Sequence, residues 1–166
     1  MKIFGIAGYS GSGKTTLIEK LIPQFTGDGL RVSLIKHAHH RFDIDHPGKD
    51  SYRHRNAGCG EVLVTSKLRW ALMHELRGER EPTLEEMIRL IAPCDLLLIE
   101  GYKREPLDKL EVYRSTLGEA LLFPRDPRVI AIAGDQRVAT KLPQFSIDDV
   151  PAIAAFIRTH VGLAGA

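Results

Sequence analysis

The chain has 166 residues, of which 43% are hydrophobic and 27% are charged, and its formal net charge at pH 7 is +2. This composition suits a folded globular protein, and the nearly neutral charge gives no reason to expect nucleic acid or an acidic membrane surface as a partner. Two cysteines are too few for a disulfide framework. No apolar run is long enough to span a bilayer and no secretory leader is evident, so we expect a cytoplasmic protein without a membrane anchor.

The first part of the chain predicts strands and helices in alternation. In chain order the predicted elements are a buried strand at 2–7, a helix at 14–26, an alternating strand at 31–36, a polar loop rich in His and Asp at 37–48, a short helix that Gly58 closes, and two strands at 61–66 and 69–76 joined as a hairpin. Apolar runs of this length, bounded by glycines, are typical of strands packed under helices.

The second part continues the alternation. The predicted elements are a helix at 82–92 with Thr83 and Glu86 as a capping box, a continuously apolar strand at 95–101, a more exposed alternating strand at 109–115, a buried strand at 128–135, and an amphipathic helix at 146–162. This order predicts one α/β domain over residues 1–166, with an open, mostly parallel sheet covered by helices. We expect the antiparallel-looking pieces near 69–76 and 109–123 to form a ribbon on one edge, where a second subunit would dock.

A phosphate-binding motif lies between the first predicted strand and the first predicted helix. "GYSGSGKT", residues 8–15, satisfies the pattern G-x-x-x-x-G-K-[ST] in its expected context. Glycines let main-chain amides surround a phosphate, and the helix start adds the positive end of its dipole. The fold class predicted is therefore a three-layer P-loop NTPase. The expected nucleotide ligands are Gly8, Ser10, Gly11, Ser12, Gly13, Lys14, Thr15 and Thr16.

A magnesium site is expected beside this loop. Lys14 should reach the β- and γ-phosphates, and the Thr15 hydroxyl should coordinate Mg²⁺. A second metal ligand is expected at the C-terminal end of a neighbouring strand, where open α/β sheets bind their ligands. "DLLLIEG", residues 95–101, ends in Glu100, which we predict as that ligand. An acid that merely ends an apolar strand in solvent is the alternative.

Three further stretches resemble one bacterial protein family. They are "IKHAHHRFDIDHPGKDSYRHRNAG" at 35–58, "RWALM" at 69–73 and "LLLIEGYKRE" at 96–105. With the phosphate loop, they resemble the molybdopterin-guanine dinucleotide biosynthesis adaptor proteins. The resemblance implies a homodimer that binds GTP with Mg²⁺, hydrolyses it weakly, and assists the molybdenum cofactor guanylyltransferase, which joins GMP to molybdopterin. Molybdopterin itself is a further ligand that the resemblance suggests.

Three more acids are candidates for roles at the nucleotide, the first two suggested by the resemblance. Asp45 lies beyond the second strand, where related proteins keep an acid near the γ-phosphate, so it is the candidate for positioning the attacking water or the metal, and Asp43 is the reserve. The N-K-x-D motif that reads guanine in many GTPases is absent from the sequence. Asp135, after "VIAIAG", is the candidate for accepting hydrogen bonds from guanine. Each of these acids is also explained as an ordinary loop residue.

Several readings stay open from the sequence. His37, His39, His40 and His46 suit a transition metal, a phosphate or pterin ligand, or a packed polar loop. Lys49, Arg53 and Arg55 suit an anion pocket or a solvated basic face. "RWALM" suits either a core or a dimer seam. Two other function classes share the phosphate loop, namely a small-molecule kinase and a metallochaperone GTPase, although neither a dedicated lid nor a complete metal motif is present.

Overall fold

The computed structural model describes residues 1–38 and 42–163. The chain divides into two compact units, one formed by Met1–His37 with Met87–Ala166 and the other by Ala38–Glu86. The compactness of a unit does not by itself show that it folds alone. The prediction of one domain therefore stays a prediction.

The larger unit contains a six-stranded sheet in which every pairing is parallel. Its strands, in spatial order, are β2 (Val32–Lys36), β5 (Leu96–Glu100), β1 (Lys2–Ala7), β6 (Lys109–Tyr113), β7 (Val129–Gly134) and β8 (Gln144–Ser146). The unit also holds two long helices, α1 (Lys14–Thr26) and α4 (Val150–Val161). The predicted α/β architecture with a mostly parallel sheet is confirmed.

The core lies between one face of this sheet and the two long helices. On α1 the buried apolar residues recur at helical spacing, and α4 contributes a matching stripe. These side chains form one cluster with alternate residues of the central strands, including Phe4, Ile6, Leu96, Leu98 and Leu110. Because strand side chains alternate between faces, this cluster defines the helix-covered side of the sheet.

The opposite side of the sheet carries two buried charged residues. Lys109 Nζ donates to the carbonyl oxygens of Lys103 at 3.0 Å and Glu105 at 2.8 Å, and it pairs with the Asp126 carboxylate at 2.8 Å. The Glu111 carboxylate accepts hydrogen bonds from the amides at 122 (2.7 Å) and 123 (3.0 Å). Non-helical main chain covers this part of the sheet, and the two buried side chains satisfy its polar groups.

The prediction of an exposed strand at 109–115, and of a ribbon extending to 123, is wrong. β6 lies inside the sheet between β1 and β7 and pairs in parallel with both. Its charged residues suggested contact with solvent, but Lys109 and Glu111 are buried because each has hydrogen-bonding partners. The final helix also begins later than predicted, at Val150, because residues 144–146 form the short strand β8.

The smaller unit contains the predicted hairpin. Its elements are α2 (Asp50–Asn56), β3 (Glu61–Thr65) and β4 (Trp70–His74), and the two strands form a separate antiparallel sheet. The short helix α3 (Leu84–Leu90) follows, and its start carries the predicted capping box, since Thr83 and Glu86 exchange hydrogen bonds. Throughout the described residues, no helix combines the length and apolar character needed to cross a membrane.

Candidate nucleotide site

The loop between β1 and α1 makes a tight turn that depends on its glycines. Gly8 and Gly13 have φ angles of 150° and 99°, which side-chain-bearing residues rarely adopt. A methyl group added to Gly8 would lie 2.4 Å from the carbonyl oxygen of Val112, so the loop passes too close to β6 for any other residue. The predicted nucleotide ligands from Gly8 to Thr16 are therefore held together by one tight turn at the end of β1.

Among the described residues, the Ser12 hydroxyl and the first-turn amides of α1 have no side-chain acceptor, whereas the Ser12 amide and Lys14 both donate to the Tyr9 carbonyl. Gly13 occupies the N-cap of α1 and gives no side-chain hydrogen bond to the first turn. The Ser12 hydroxyl is 1% exposed and has no hydrogen-bonding partner among the described residues. First-turn amides and a buried hydroxyl without an acceptor are what a phosphate group would satisfy. The residues present fit a bound nucleotide phosphate.

The two predicted metal ligands are in direct contact. Glu100 lies at the C-terminal end of β5, in register with Ile6 of β1 and Lys36 of β2. Its carboxylate accepts a 2.9 Å hydrogen bond from the Thr15 hydroxyl, and its side chain is only 6% exposed. A hydroxyl and a carboxylate at the start of the loop helix are hard oxygen donors of the kind Mg²⁺ prefers. The donor set therefore fits Mg²⁺.

Positive charge exceeds negative charge around this pair. Lys14 Nζ donates to the carbonyl oxygen of Tyr9 at 2.7 Å, inside the loop. Burial lowers the pKa of Lys14, the charge of Glu100 opposes that shift, and the ammonium groups of Lys103 and Lys36 add to it. Three lysines thus act on a region that holds one carboxylate. This surplus favours an anionic ligand such as a triphosphate.

Two basic residues of the site were missed by sequence reasoning. Lys36 Nζ lies 3.2 Å from the Thr15 hydroxyl oxygen and 3.3 Å from a Glu100 carboxylate oxygen. The Arg114 guanidinium lies beside the loop, since a methyl group added to Gly13 would be 3.6 Å from its Nη2. Both residues lie at or just beyond the carboxyl end of a parallel strand, where such sheets bind their ligands, and this position could have identified them from the sequence. For Arg114 the signal was lost because its strand was predicted to be exposed.

Asp135 lies just after β7, on the same edge of the sheet. Its two carboxylate oxygens accept 3.0 Å hydrogen bonds from the Ser115 amide and the Ser115 hydroxyl. The amide hydrogen bond is the main cause of its lowered pKa, and the charge of Arg114 contributes. Asp135 is therefore ionised, and its remaining lone pairs are available to a base donor.

Asp45 and Asp43 belong to the smaller unit, where both bind Arg55. The Asp45 carboxylate accepts from the Ser51 hydroxyl at 2.9 Å, the His46 amide at 3.0 Å and Arg55 at 3.2 Å. Burial alone would raise the pKa of Asp45, but these hydrogen bonds outweigh it and lower the pKa. Asp45 is thus an ionised, fixed carboxylate at neutral pH.

The structure bears differently on the predicted anion pocket and on the predicted metal site of the histidines. Arg55 also pairs with Asp43 at 2.9 Å and Glu75 at 2.5 Å, so three carboxylates already neutralise it, which weakens the case for Arg55 in an anion pocket. His39 and His40 lie outside the described residues. Over residues 1–38 and 42–163, no three His, Cys, Asp or Glu side chains are grouped as a metal site.

Comparison with known proteins decides the family. The model of the family described as "Molybdopterin guanine dinucleotide synthesis protein B" matches residues 3–135. The chain belongs to this family. The match confirms the resemblance seen in the sequence motifs, and it spans every element of the site described above.

Curated members of the molybdopterin guanine dinucleotide synthesis protein B family are similar along nearly their whole length. The chain is 41% identical over 160 residues to an adapter protein of molybdopterin-guanine dinucleotide biosynthesis from Escherichia coli, with 93% of this chain and 90% of the relative covered. It is 39% identical over 159 residues to the corresponding adapter of Haemophilus influenzae, with 94% and 87% covered.

Solved structures of the same family share the fold. The structure of Bacillus subtilis MobB superposes with a TM-score of 0.78 at 28% sequence identity, covering 97% of this chain and 98% of that one. The homologue from Bacillus stearothermophilus gives a TM-score of 0.75 at 25% identity, covering 98% and 99%. The family therefore places this chain in molybdopterin guanine dinucleotide synthesis.

Proposed function

We propose that this family member is an adapter that binds GTP with Mg²⁺ at the loop of residues 8–16 and assists the guanylyltransferase that attaches GMP to molybdopterin. The observation that carries the proposal is the contact between the Thr15 hydroxyl and the Glu100 carboxylate, beside the buried Ser12 hydroxyl, which has no acceptor among the described residues. The relatives named as adapters of this biosynthesis support the same role.

The residues of the loop would bind the phosphates as follows. Main-chain amides of residues 11–15 and the Ser12 hydroxyl would donate to the phosphate oxygens, and the Ser12 amide would leave the Tyr9 carbonyl, which it contacts at 3.2 Å, to do so. Lys14 would exchange its hydrogen bond with the Tyr9 carbonyl for one with a phosphate oxygen. Thr15 and Glu100 would hold Mg²⁺, which supplies charge neutralisation between the phosphates.

Base recognition and slow hydrolysis belong to the proposal. Asp135 would accept hydrogen bonds from the N1 and N2 hydrogens of guanine, which adenine cannot supply in that pattern. Asp45 would position the attacking water or the metal, with Asp43 as the reserve. Bound GTP would then set a conformation that the partner enzyme recognises, since loops ordered by a γ-phosphate are a known form of switch.

We also propose a homodimer that uses the β3–β4 ribbon. Leu63 is paired with Leu72, and Thr65 with Trp70, so the apolar members share one face of this small sheet. Leu63, Trp70 and Leu72 are 60%, 69% and 46% exposed. An apolar face of this kind, with an aromatic anchor, is typical of a protein interface.

Calorimetry with GTP and Mg²⁺ tests the nucleotide site. We expect Lys14→Ala to lose roughly tenfold or more in GTP affinity, because a charge-assisted hydrogen bond to phosphate is removed. Lys20→Ala is the matched control, since Lys20 lies on the same helix and its ion pair with Asp148 is exposed. Equal affinities of the parent and Lys14→Ala would refute the proposed site.

A pull-down from bacterial lysate tests the adapter role. We expect the parent protein to recover the guanylyltransferase better with GTP than without it, and Lys14→Ala to show no such difference. Rapid transfer of phosphate to a small hydroxyl acceptor would instead indicate a kinase. Tight stoichiometric binding of Ni²⁺ would indicate a metallochaperone.

A further inference from the structure

We propose that Lys36 is a built-in counter-ion for the metal ligands, and that Mg²⁺ must displace its ammonium group before the site can be loaded. The inference rests on the proposed nucleotide site and adds a residue to it. Lys36 would then lower the affinity of the protein for metal alone more than its affinity for metal that arrives with a nucleotide.

The position of the ammonium group is the first argument. Lys36 Nζ lies 3.2 Å from Thr15 Oγ1 and 3.3 Å from Glu100 Oε1, and these two oxygens are themselves 2.9 Å apart. A cation already bridges the hydroxyl and the carboxylate that a metal would share. The strand register explains this position, because Lys36 and Glu100 are direct neighbours on β2 and β5.

The hydrogen bonding of the Thr15 hydroxyl provides the second argument. Its hydroxyl gives its proton to Glu100 and accepts a hydrogen bond from Lys36. A metal would need a lone pair on this same oxygen, at about 2.1 Å for Mg²⁺. The hydroxyl oxygen has a second lone pair, so the competition comes from charge: an ammonium 3.2 Å from this oxygen and 3.3 Å from the Glu100 carboxylate repels a divalent cation bound to the same two groups.

Burial supplies the third argument. The Glu100 side chain is 6% exposed, and an ionised carboxylate at that depth is costly without a partner. The Lys36 side chain is 50% exposed, so its ammonium can leave toward solvent without unfolding β2. The pair thus joins a fixed buried anion to a cation that can move.

Two consequences follow for the protein. Without nucleotide, Lys36 stabilises the folded site and weakens the binding of metal alone. When the metal arrives with a triphosphate, the phosphates contribute further ligands and charge, so displacement of Lys36 becomes favourable. Lys36 would thereby make metal binding depend on the nucleotide.

The test is the binding of Mn²⁺ alone, measured by electron paramagnetic resonance on the nucleotide-free protein. We expect Lys36→Met to bind Mn²⁺ about tenfold more tightly than the parent, because one competing positive charge is removed. In a thermal melt, the metal-free variant should be less stable than the parent, and Mg²⁺ alone should raise the melting temperature of the variant more than that of the parent.

Three controls make the result specific. Lys36→Arg keeps the charge and should bind Mn²⁺ like the parent. Lys20→Met removes a lysine of nearly equal exposure, 51%, far from any proposed ligand role, and should also behave like the parent. The double variant Lys36→Met with Glu100→Gln should lose the gain, since the carboxylate that the metal would bind is removed.

The outcomes separate this inference from the proposed function. If Lys36→Met binds Mn²⁺ no more tightly than the parent while Mg²⁺-dependent GTP binding is retained, the counter-ion role is refuted and the nucleotide site stands. If the parent does not bind GTP with Mg²⁺ at all, the proposed function fails. Should Lys36→Met fold poorly without metal, the milder variant Lys36→Gln gives the same comparison.

Discussion

The side chain of Glu100 joins two parts of the site that are distant in sequence. It starts from the end of β5 and reaches the first turn of α1, where it accepts the Thr15 hydrogen bond. Its main-chain carbonyl accepts from the His37 amide at 3.0 Å, which ties the end of β2 to the same residue. Glu100 therefore links the first turn of α1 through its carboxylate and the end of β2 through its main-chain carbonyl.

The positive φ of Tyr102 indicates strain next to this carboxylate. Within the described residues, Tyr102 and Arg77 are the only non-glycine residues with positive φ, at 43° and 45°. Tyr102 follows Gly101, whose amide donates to the Ile6 carbonyl at 3.1 Å. Strained backbone of this kind is often found at functional sites, and here it turns the chain directly after Glu100.

Asp45→Asn tests the proposed role of Asp45 in hydrolysis. A carboxylate has about four acceptor positions, and Asp45 uses three, so one remains to orient a water molecule. We expect Asp45→Asn to lower the rate of GTP hydrolysis by about tenfold or more with little change in GTP affinity. Single-turnover kinetics and calorimetry measure the two quantities.

Glu75→Gln is the matched control for this experiment. Glu75 binds the same guanidinium at 2.5 Å and has no proposed catalytic role, so its loss disturbs the Arg55 network without removing Asp45. We expect a lower melting temperature for both variants and a lower rate only for Asp45→Asn. Equal hydrolysis rates in all three proteins would contradict the water-positioning role.

At the scale of elements, β6 shows how a sheet can bury charged residues. Lys109 and Glu111 point to the side away from α1 and α4, where each saturates polar groups of the covering segments. Lys109 has three acceptors, and its side chain is 1% exposed. A buried charge with this many partners fixes the path of irregular main chain, at the cost of desolvation.

Glu111→Gln tests the electrostatic cost of this arrangement. Burial raises the pKa of Glu111, and the two amide hydrogen bonds oppose this shift without reversing it. Because the folded-state pKa lies above the unfolded value, the folded protein binds more protons in the interval between them. The free energy of unfolding of the parent should therefore fall, relative to Glu111→Gln, as pH rises through that interval, and the difference should be constant above the folded-state pKa.

Urea unfolding measures this difference, for example at about pH 5 and about pH 8. Gln keeps one oxygen acceptor, places its NH₂ group opposite the second amide and cannot ionise, so its lost hydrogen bond is a pH-independent cost and the pH dependence of the difference reports the charge. Asp148→Asn, at an exposed position, is the control and should show no comparable pH dependence. If the free energy of unfolding of the parent instead rises relative to that of Glu111→Gln as pH increases, the raised pKa of Glu111 is contradicted.

At the scale of the whole molecule, the two compact units contribute different properties. The larger unit supplies the sheet, the phosphate loop and the proposed metal ligands. The smaller unit supplies the Arg55 network and the exposed apolar face of the ribbon. Since a monomer seldom leaves an aromatic and two leucines exposed together, this face is where we expect a second copy to bind.

Trp70→Ser tests the proposed dimer. Trp70 is the largest apolar side chain on the ribbon face, and aromatic anchors commonly dominate interface energies. We expect the variant to weaken self-association by roughly tenfold or more, measured by sedimentation equilibrium. Leu90→Ser is the control, because Leu90 is similarly exposed at 70% but lies on α3. A monomeric parent protein would refute the proposal.

Most of the fold was predictable because its signals are local. The strand at 2–7 and the helix at 14–26 have the predicted bounds, since glycines and periodic apolar residues mark them. The strand at 109–113 was misjudged because charge suggests exposure until its partners are known. Strand β8 was missed because three residues carry too little periodicity to predict a strand.

The sequence alone determined the phosphate loop, the α/β class and the family, because each depends on consecutive residues or on motifs at fixed spacing. The sequence also predicted that Thr15 and Glu100 lie together, but only the tertiary structure decided that Lys36 joins them and that Lys109 and Glu111 are buried. These facts depend on which strands become neighbours in the sheet. Strand order follows from the packing of the entire unit, so no local pattern specifies it.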